Sequence, residues 1–431
     1  LTIRTQVATY ASPGSGLLTA AAEDVDEVSV ENVTVDGRGA PHGGNGPNLN
    51  QAAGWTLTNV TATGATAGLK LSGTVPDLTI EGGSFSGNLV GLDATSGDVQ
   101  NLSVTGAEFN ENGARGLYFR GSLEEAVFDG VKIQGNGVPN PQDDPGLGAR
   151  GLHLQLANGG DNGDIEIRDS QITGNQNVGI QLDAVGSTAI DGVSVESTVI
   201  ADNGGPGFAI NNDNYENVEI HGNRIAGNGD VFRPSVTSDA TGISVWSADG
   251  FDVNARNNWF GCNSDPVGAT APCGSVSEND KVDADPWLVL RAVPTPATLS
   301  LDGSLTIDAS INRNSANASA PAVPGNPQVD YSTTDGNVGS VDPAVDNLSD
   351  EGESSTLVEN HDNGTVTIGT TVDGATVNHT FTVAGGSQDR YVDEGGEDSG
   401  NNCRDEAEPC GSLQHAADAA NSGDTILVGD G

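Results

Sequence analysis

The sequence of 431 residues contains no methionine and only three lysines, Lys70, Lys132 and Lys281. Its 60 Asp and Glu residues far outnumber its 16 Lys and Arg residues, and the formal net charge is -44. A surface this negative repels phosphate groups, and no apolar run reaches the roughly 18 residues that a membrane span needs. We therefore expect neither nucleic-acid binding nor membrane insertion.

The lack of methionine also concerns the first residue, because Leu1 cannot be a translation start. We expect that the front of the chain was removed with a secretory segment, or that the sequence is one block of a longer polypeptide. The acidic residues are spread along the whole chain, which is typical of proteins in salt-saturated surroundings, where salt screens their repulsion. The composition therefore indicates a halophilic microbe.

Cysteines are few and form two local pairs. Four cysteines allow three connectivities, but the loops within each pair are rich in Gly, Pro, Asp and Asn, which favours the disulfides Cys262–Cys273 and Cys403–Cys410. Neither pair has the short C-x-x-C spacing or the neighbouring His pair of a zinc site. Disulfides favour an extracellular or cell-surface location. Seven candidate N-glycosylation sequons agree with secretion, although sequons also arise by chance, and they begin at Asn32, Asn59, Asn101, Asn317, Asn347, Asn363 and Asn378.

What the sequence does have is an internal repeat over its first two thirds. The template is two apolar residues separated by one, a third apolar residue five positions later, an Asn three positions after that, and then Gly-apolar-x-apolar. Insertions at 137–150 and 229–241 fall at the same point of the template. The repeated asparagines are Asn88, Asn112, Asn136, Asn175, Asn203 and Asn228.

Three short strands in each repeat of about 24 residues leave no length for a crossover helix. The physical solution is a parallel β-helix, in which each coil buries its apolar positions against the coils above and below. Asn suits a corner of such a coil because it tolerates left-handed backbone, and stacked Asn amides can hydrogen-bond from rung to rung. We expect eight to ten coils.

These coils, together with the segments 257–262 (NNWFGC) and 283–288 (DADPWL), resemble secreted right-handed parallel β-helix proteins related to pectin lyase and NosD. The resemblance implies a fold and no particular activity, because this fold hosts lyases, hydrolases, adhesins and spacers. It predicts a β-helix domain over residues 1–290.

Residues 291–386 change character, with about seven short strands of alternating polarity that predict a β-sandwich. The stretch from Val329 to Val341 and the strands ending at Val383 resemble the immunoglobulin-like domains of bacterial invasin and intimin stalks. That resemblance implies a spacer or an adhesive tip.

Residues 387–431 resemble the opening of a secreted β-helix protein: a strand, the Cys403–Cys410 loop, a short helix and a first coil. Ser412 is a good helix N-cap. The segment that normally covers the front of a β-helix thus follows the sandwich. The expected contacts with a next unit are Leu413, Ala416, Ala417, Ala420, Ile426 and Val428, and on the receiving side Leu1 and Ile3.

A β-helix must cover its ends to avoid edge-to-edge association. The final segment can fold back over its own first coil, or it can cover the next copy and build an open head-to-tail filament. We therefore expect the main partner to be a second copy of this chain, with surface polysaccharide as a further partner.

The outward positions of the Gly-apolar-x-apolar strands predict two columns along one face. Polar and aromatic side chains here would suit a sugar chain, and Arg120, His153 and Asp183 could act as charge stabiliser and acid or base. No pair of carboxylates suited to a glycosidase or a lyase stands out, so we expect no enzyme. The candidate glycan-binding residues are Tyr118, Arg120, His153, Gln155, Gln181, Asp183 and Trp246.

The sequence therefore predicts an all-β chain, with a right-handed parallel β-helix, an immunoglobulin-like β-sandwich, and a C-terminal helix and strand like a β-helix cap. The predicted function is a structural unit of an extracellular filament or adhesive stalk. The alternative is a secreted protein that binds or cleaves polysaccharide. No cofactor is predicted, although calcium would suit acidic loops such as 393–398 (DEGGED).

Overall fold

The computed structural model describes the following residues: 2–4, 19–21, 28–37, 44–137, 148–157, 162–185, 190–211, 215–229, 241–245, 253–269, 273–277, 281–336, 338–383, 389–420 and 424–429. Leu1 and Trp246 lie outside them. Within them the chain is almost entirely β, with a parallel solenoid, two antiparallel sheets and one short helix. The predicted fold class is confirmed in this form.

The first part of the chain is a parallel β-helix, called the rod below. Most of its strands are three to seven residues long, because each coil turns two or three times within about 24 residues. Its strands are β1 (Thr2–Arg4), β2 (Thr19–Ala21), β3 (Ser29–Glu31), β4 (Thr34–Asp36), β5 (Asn48–Asn50), β6 (Thr56–Thr58), β7 (Thr61–Thr63), β8 (Ala67–Pro76), β9 (Thr79–Glu81), β10 (Val90–Thr105), β11 (Arg115–Phe119), β12 (Leu123–Asp129), β13 (Lys132–Gln134), β14 (Arg150–Leu156), β15 (Gly163–Arg168), β16 (Gln171–Thr173), β17 (Ile180–Ala184), β18 (Ile190–Glu196), β19 (Val199–Ala201), β20 (Phe208–Ile210), β21 (Tyr215–His221), β22 (Ile243–Val245), β23 (Val253–Asn254) and β24 (Val282–Asp283).

Every strand pair of the rod is parallel, and each strand pairs with the equivalent strand of the next coil. Apolar side chains at alternate positions point inward and stack, as Phe85 does on Phe109 with ring centroids 5.5 Å apart. The interior is therefore one continuous apolar column. The repeat positions of the template, including the early coils around Val30 and Leu57, lie in it.

The asparagines of the repeat form a buried ladder inside one corner of the rod. From Asn112 onward, each Asn Oδ1 accepts a hydrogen bond from the backbone N–H of the Asn one coil before it, at 2.9 Å from Asn112 to Asn136 and at 3.1 Å from Asn136 to Asn175. The same oxygen accepts from the preceding amide Nδ2 at 3.0 and 2.8 Å. Because the corner is dry, these bonds satisfy polar groups that would otherwise be costly to bury.

The Gly that follows each ladder Asn has a steric reason. A Cβ on Gly151 would lie 2.5 Å from the carbonyl oxygen of Gly179 and 2.9 Å from Nδ2 of Asn175. No other residue allows adjacent coils to approach this closely. The spacing of Asn and Gly in the sequence therefore reports a stack of coils in contact.

Residues 291–383 form two four-stranded antiparallel sheets that share one core, and this unit is called the sandwich. Ile307 and Val358 of one sheet pack in the same cluster as Val329, Val366 and Ile368 of the other. One sheet has the order β25-β26-β30-β28 and the other β29-β27-β31-β32. The strands are β25 (Arg291–Thr295), β26 (Ser304–Ser310), β27 (Gln328–Thr333), β28 (Gly339–Asp342), β29 (Val345–Asn347), β30 (Glu353–Asn360), β31 (Gly364–Val372) and β32 (Ala375–Val383).

The sandwich packs on the last coils of the rod. Trp259 is fully buried among sandwich residues, and its Nε1 donates a hydrogen bond to Asp373 Oδ2 at 2.8 Å. Arg224 of the rod pairs with the same carboxylate through two nitrogens, at 2.8 and 2.5 Å. Trp259 thus joins the last coils of the rod to the sandwich.

The described residues from 389 onward form a small unit, called the cap. It consists of β33 (Asp389–Val392), the Cys403–Cys410 loop, α1 (Leu413–Ala419) and β34 (Thr425–Val428), and β33 and β34 pair in parallel. Its core is Val392, the disulfide and Ala416, with Ile426 partly buried against them. The elements come in the order expected for the opening of a β-helix.

Within the cap, the predicted apolar face of the helix is divided. Ala416 is buried, whereas Leu413 is 56% exposed and Ala417 is also exposed. Ala420 is the C-cap, and Ala419 packs toward the core beside Ala416. The short helix therefore covers its own unit with one side and leaves apolar atoms on the other.

Candidate functional site

One face of the rod, called the polar face, is built by β2, β5, β8, the first half of β10, β11, β14, β17, β20 and β22. Its outward positions stack in register: Tyr118 pairs with His153, and His153 pairs with Gln181. Gln155 pairs with Asp183 in the second column. These side chains therefore lie in the two predicted columns. Lys70 and Asp93, on earlier coils of the same face, form an ion pair of 2.6 Å.

Tyr118 is the centre of an aromatic stack. Its ring lies 5.0 Å from the His153 ring, with the planes 14° apart, and the Arg115 guanidinium lies 4.1 Å from its centroid on the same ring. The Tyr118 hydroxyl donates to Gln155 Oε1 at 2.6 Å. Arg115, Tyr118, His153 and Gln155 thus form a stack across two coils, and the cation–π contact helps hold the guanidinium.

His153 is 2% exposed, and its Nε2 lies 2.7 Å from Asp183 Oδ2. Burial is the main cause that lowers the pKa of His153 to about 4; the positive charge of Arg150 acts in the same direction, and the hydrogen bond with Asp183 opposes the shift. The ring is therefore neutral at pH 7. Because Asp183 is a carboxylate that only accepts, the single ring proton lies on Nε2.

Asp183 collects several donors. Burial by itself raises the pKa of Asp183, but hydrogen bonds from His153, Gln181 and Asn211 outweigh it and the pKa is lowered. Gln181 Nε2 lies 3.0 and 2.9 Å from the two carboxylate oxygens, and Gln181 Oε1 accepts from Arg150 Nε. The carboxylate is thus held ionised and fixed in position.

Three buried polar atoms of this cluster have no hydrogen-bond partner among the described residues: His153 Nδ1, Arg115 Nε and Asn211 Oδ1. Burial also lowers the pKa of Arg115, although Tyr118, Asp93 and Asp183 oppose that shift. Arg115 Nε can donate a hydrogen bond, and His153 Nδ1 and Asn211 Oδ1 can accept one. Such atoms are costly to leave unpaired, so the cluster is suited to hold a small polar group or a water molecule.

The structure brings together five of the predicted residues, Tyr118, His153, Gln155, Gln181 and Asp183. Arg120 is exposed, and the cations within the cluster are instead Arg115 and Arg150, which were not among the predicted residues. Both come directly before the Gly of the template and pair in register. Both therefore lie outside the two predicted columns, three positions before the first of them.

The two carboxylates nearest to this cluster both have partners. Asp183 is engaged by three side chains, and Asp93 is paired with Lys70. Among the described residues, a single group of three His, Cys, Asp or Glu side chains lies close enough to share a metal ion, and it is in the cap. It comprises Cys403, Cys410 and His415, whose candidate ligand atoms lie within 4.8 Å of one another.

Both local cysteine pairs are disulfide-bonded, Cys262 to Cys273 and Cys403 to Cys410. The asparagines of the seven sequons are exposed or half-buried. Three of them, Asn32, Asn59 and Asn101, occupy positive-φ corners of the rod. Asn101 Nδ2 donates to Asp77 at 2.6 Å, so this amide would have to leave its partner before modification.

The cap offers a second candidate surface. β34 has β33 on one edge, and its Leu427 and Val428 are 41% and 61% exposed. Arg390 is fully buried and bonds to Asp424 and Asp362, while Arg404 bonds to Asp302. Asp302 and Asp362 belong to the sandwich, so these ion pairs attach the cap there.

In the part of the chain that the structure describes, the one helix has seven residues and is too short to cross a membrane. No curated protein matches the sequence. Two solved structures show a partial likeness: domains 4 and 5 of the S-layer protein SbsC and the S-layer protein rSbsC(31-844).

Each of these structures is 15% identical to the chain. The first match covers 24% of this chain and 56% of the other, with a TM-score of 0.18, and the second covers 25% and 14%, with a TM-score of 0.19. The chain thus spans about half the length of the first structure and a much smaller part of the second. This likeness says nothing about activity.

The family comparison agrees with the coil register. Residues 45–260 match the model described as "Right handed beta helix region". That segment is half of the chain and contains the Asn ladder and most of the polar face. On this evidence the chain belongs to the right-handed β-helix family.

Proposed function

We propose that this chain is a structural subunit, or a repeat unit, of an extracellular filament or adhesive stalk. Its copies join head to tail when the cap and β34 of one copy cover the first coil of the next β-helix. The two disulfides support a location outside the cytoplasm, where such bonds persist.

The observation that carries this proposal is that the apolar side chains of β34 in the cap are only partly buried. Ile426 of β34 packs on the disulfide and on Ala416, but two positions further along the strand Val428 is 61% exposed. A parallel strand with apolar side chains on its open side is a template for another parallel strand. The rod is made of such strands.

The attachment of the cap fits this geometry. Its ion pairs run to the sandwich, which packs on the last coils of the rod at Trp259 and Arg224. The first coils lie about 40 Å away, because nine stacked strands of the polar face are about 4.8 Å apart. This separation supports contact of the cap with a different copy.

The experiment compares the chain with a circular permutant, at molar salt so that the charge of -44 is screened. The permutant begins at residue 389, runs to 431, continues directly into residue 1 and ends at 383. Its Thr19 follows Thr425 by 25 residues, which equals the step from Asp93 to Tyr118 on the polar face. The cap should then cover its own rod.

We expect threads of the parent chain in negative-stain images and single particles of the permutant. A variant that lacks residues 387–431 should also stay single, since it keeps the rod and the sandwich but has no donor. Threads of equal length from all three proteins, or a parent that stays monomeric at every concentration, would rule out donation of the cap.

A second function is favoured by the cluster around Tyr118 and His153. Scarce cations and an aromatic stack are concentrated on one face of a very acidic protein, which suits a polysaccharide that is bound or cleaved there. Affinity electrophoresis in gels that contain acidic or neutral polysaccharide tests it. Retardation that is lost in Tyr118→Ala but kept in Thr365→Ala, an exposed control on the sandwich, would support binding.

A further inference from the structure

The cap loop holds close together three side chains that are of the kinds that bind metal ions. Cys403 and Cys410 are fully buried, and their sulfurs and a ring nitrogen of His415 lie within 4.8 Å of one another. Two thiolates and an imidazole are the ligands that zinc prefers in proteins. In the oxidised chain the sulfurs are bonded to each other and are not available as thiolates.

The backbone holds the two cysteines in place independently of their disulfide. Tyr391 N–H donates to the Cys403 carbonyl at 2.6 Å, and Cys410 N–H donates to the Tyr391 carbonyl at 2.9 Å. Asp393 N–H donates to the Cys410 carbonyl at 3.0 Å. Both ends of the loop are thus fixed to β33. The sulfurs should therefore stay close when the bond between them is cut.

Two hydrogen bonds hold His415, one at its backbone and one at its ring. Ser412 caps α1 and accepts from His415 N–H at 3.2 Å, which sets the start of the helix. The ring Nε2 lies 2.8 Å from the carbonyl oxygen of Asn401. A carbonyl only accepts, so Nε2 carries the proton and Nδ1 has the free lone pair. Metal-binding histidines commonly donate their second N–H to a carbonyl in this way.

We propose that reduction of the Cys403–Cys410 disulfide turns the cap loop into a site for a thiophilic divalent cation such as Zn²⁺. The ligands are Cys403, Cys410 and His415, and a water molecule takes the fourth position. This inference does not depend on the filament.

The step is balanced with a dithiol as the reductant. One of its thiolates attacks a cysteine sulfur, and its second thiol then closes a cyclic disulfide. Two electrons pass to the protein, and Cys403 and Cys410 become thiols. Binding of Zn²⁺ displaces two protons from these thiols, so the affinity rises with pH.

The other disulfide is the internal control. Within the described residues, Cys262 and Cys273 have no third His, Cys, Asp or Glu ligand within the same reach. The hydroxyl of Ser264 is close to both sulfurs, but a neutral hydroxyl is a poor substitute for imidazole. Reduction of this pair should create no comparable site.

The test uses the full chain, reduced with dithiothreitol and desalted without oxygen. Zn²⁺ is titrated against a chromophoric chelator, and Co²⁺ is used in parallel to detect thiolate-to-metal charge transfer. We expect one tight Zn²⁺ per reduced chain, none in the oxidised chain, and full binding in the variant C262S/C273S. His415→Gln should bind at least about tenfold more weakly.

His415→Gln keeps both cysteines, and recovery of the Cys403–Cys410 disulfide on reoxidation shows that its cap still folds. Reduced wild type that binds Zn²⁺ no better than C403S/C410S would overturn the proposal. Equal affinity in His415→Gln would also overturn it, because two thiols alone would then explain the binding.

Discussion

The rod and the cap use the same parallel pairing, but they distribute their stability differently. In the rod, each coil repeats the contacts of the last, and the Asn ladder and the apolar column continue through many rungs. In the cap, a core of a few side chains depends on one disulfide and one buried arginine. A repeated structure can lose one contact and keep its neighbours, whereas the cap has no second copy of any contact.

The comparison also explains where an open edge can be tolerated. A rung in the middle of the rod is covered on both sides, but β34 has one strand partner among the described residues. The cap is held to the sandwich by charge, which leaves its apolar side uncovered. The unit with the smallest core is thus the one that leaves apolar side chains of a strand exposed.

The largest single effect is expected at Arg390. Arg390→Met leaves Asp424, which is 1% exposed, and Asp362 without this cation, and loss of one partner from a buried pair costs about 3 to 5 kcal/mol. We expect β34 and α1 to lose protection in hydrogen exchange while the rod keeps its protection. Arg404→Met is the control, because Asp302 is 65% exposed and the pair is worth under about 1 kcal/mol.

If the amides of β34 stay protected in Arg390→Met, other contacts also stabilise the cap. The cap would then depend on single contacts no more than the rod does. Equal loss in both variants would mean that any contact with the sandwich matters, whether buried or exposed.

The next effect is expected in the ladder. Asn175→Ala removes the acceptor of the Asn136 backbone N–H and of its side-chain amide, and it frees the Ile133 carbonyl. We expect a loss of about 3 kcal/mol in the free energy of unfolding, because each buried group left unpaired costs about 1 to 3 kcal/mol. Urea titration measures it.

Asn347→Ala, an exposed change in β29, is the control and should stay within about 0.5 kcal/mol. If Asn175→Ala is equally mild, water replaces the amide and the ladder is less important than the apolar column. If it unfolds the cap as well, the two regions are coupled.

A pH dependence of about 2 kcal/mol is expected from His153. Its pKa falls from 6.5 to about 4 in the folded chain, so the unfolded chain binds the proton first as the pH decreases. The stabilisation is present above pH 6.5 and is lost as the pH falls toward 4, which gives about 2 kcal/mol between pH 7 and pH 5. The urea midpoint at constant ionic strength should follow this curve.

His153→Gln should flatten the curve between pH 7 and pH 5, whereas Thr365→Ala, an exposed change on the sandwich, should not. The lowered pKa of Asp183 acts in the same direction at lower pH. An unchanged curve in His153→Gln would assign the acid sensitivity to the carboxylates.

The smallest effect is expected on the surface of the rod. Lys132 and Glu108 form an ion pair of 3.0 Å, and both side chains are more than 40% exposed. Glu108→Gln should change the free energy of unfolding by less than about 0.5 kcal/mol in thermal or urea unfolding. A larger effect would show that even exposed contacts between rungs are cooperative.

The fold was largely predictable because its evidence is repeated in the sequence. The template places Asn112, Asn136 and Asn175 at one corner without knowledge of any long-range contact, since each coil has the same needs as the last. The cap was predictable for a related reason, as a strand, a short loop, a helix and a strand follow each other locally. For the sandwich, the structure shows two antiparallel sheets, and the likeness to immunoglobulin-like domains stays a prediction.

The site was less predictable. Arg150 is the last residue of an insertion, and its contact with Gln181 spans 31 residues, so the template does not predict that contact. The helix brings the His415 ring to the Asn401 carbonyl, a contact across 14 residues of chain. Arg390 meets Asp424 across 34 residues of chain. These contacts depend on how loops return, which a local pattern does not record.

By itself the sequence determined the coils, the order of the segments and the acidic surface, because a side chain that recurs once in each turn must stack on its own repeat. Only the tertiary structure decided which polar atoms are buried without partners on the face of the rod, and that the cap is attached to the sandwich. Those outcomes depend on how residues far apart in the sequence meet in space. Burial determines how much each of these polar contacts contributes to stability.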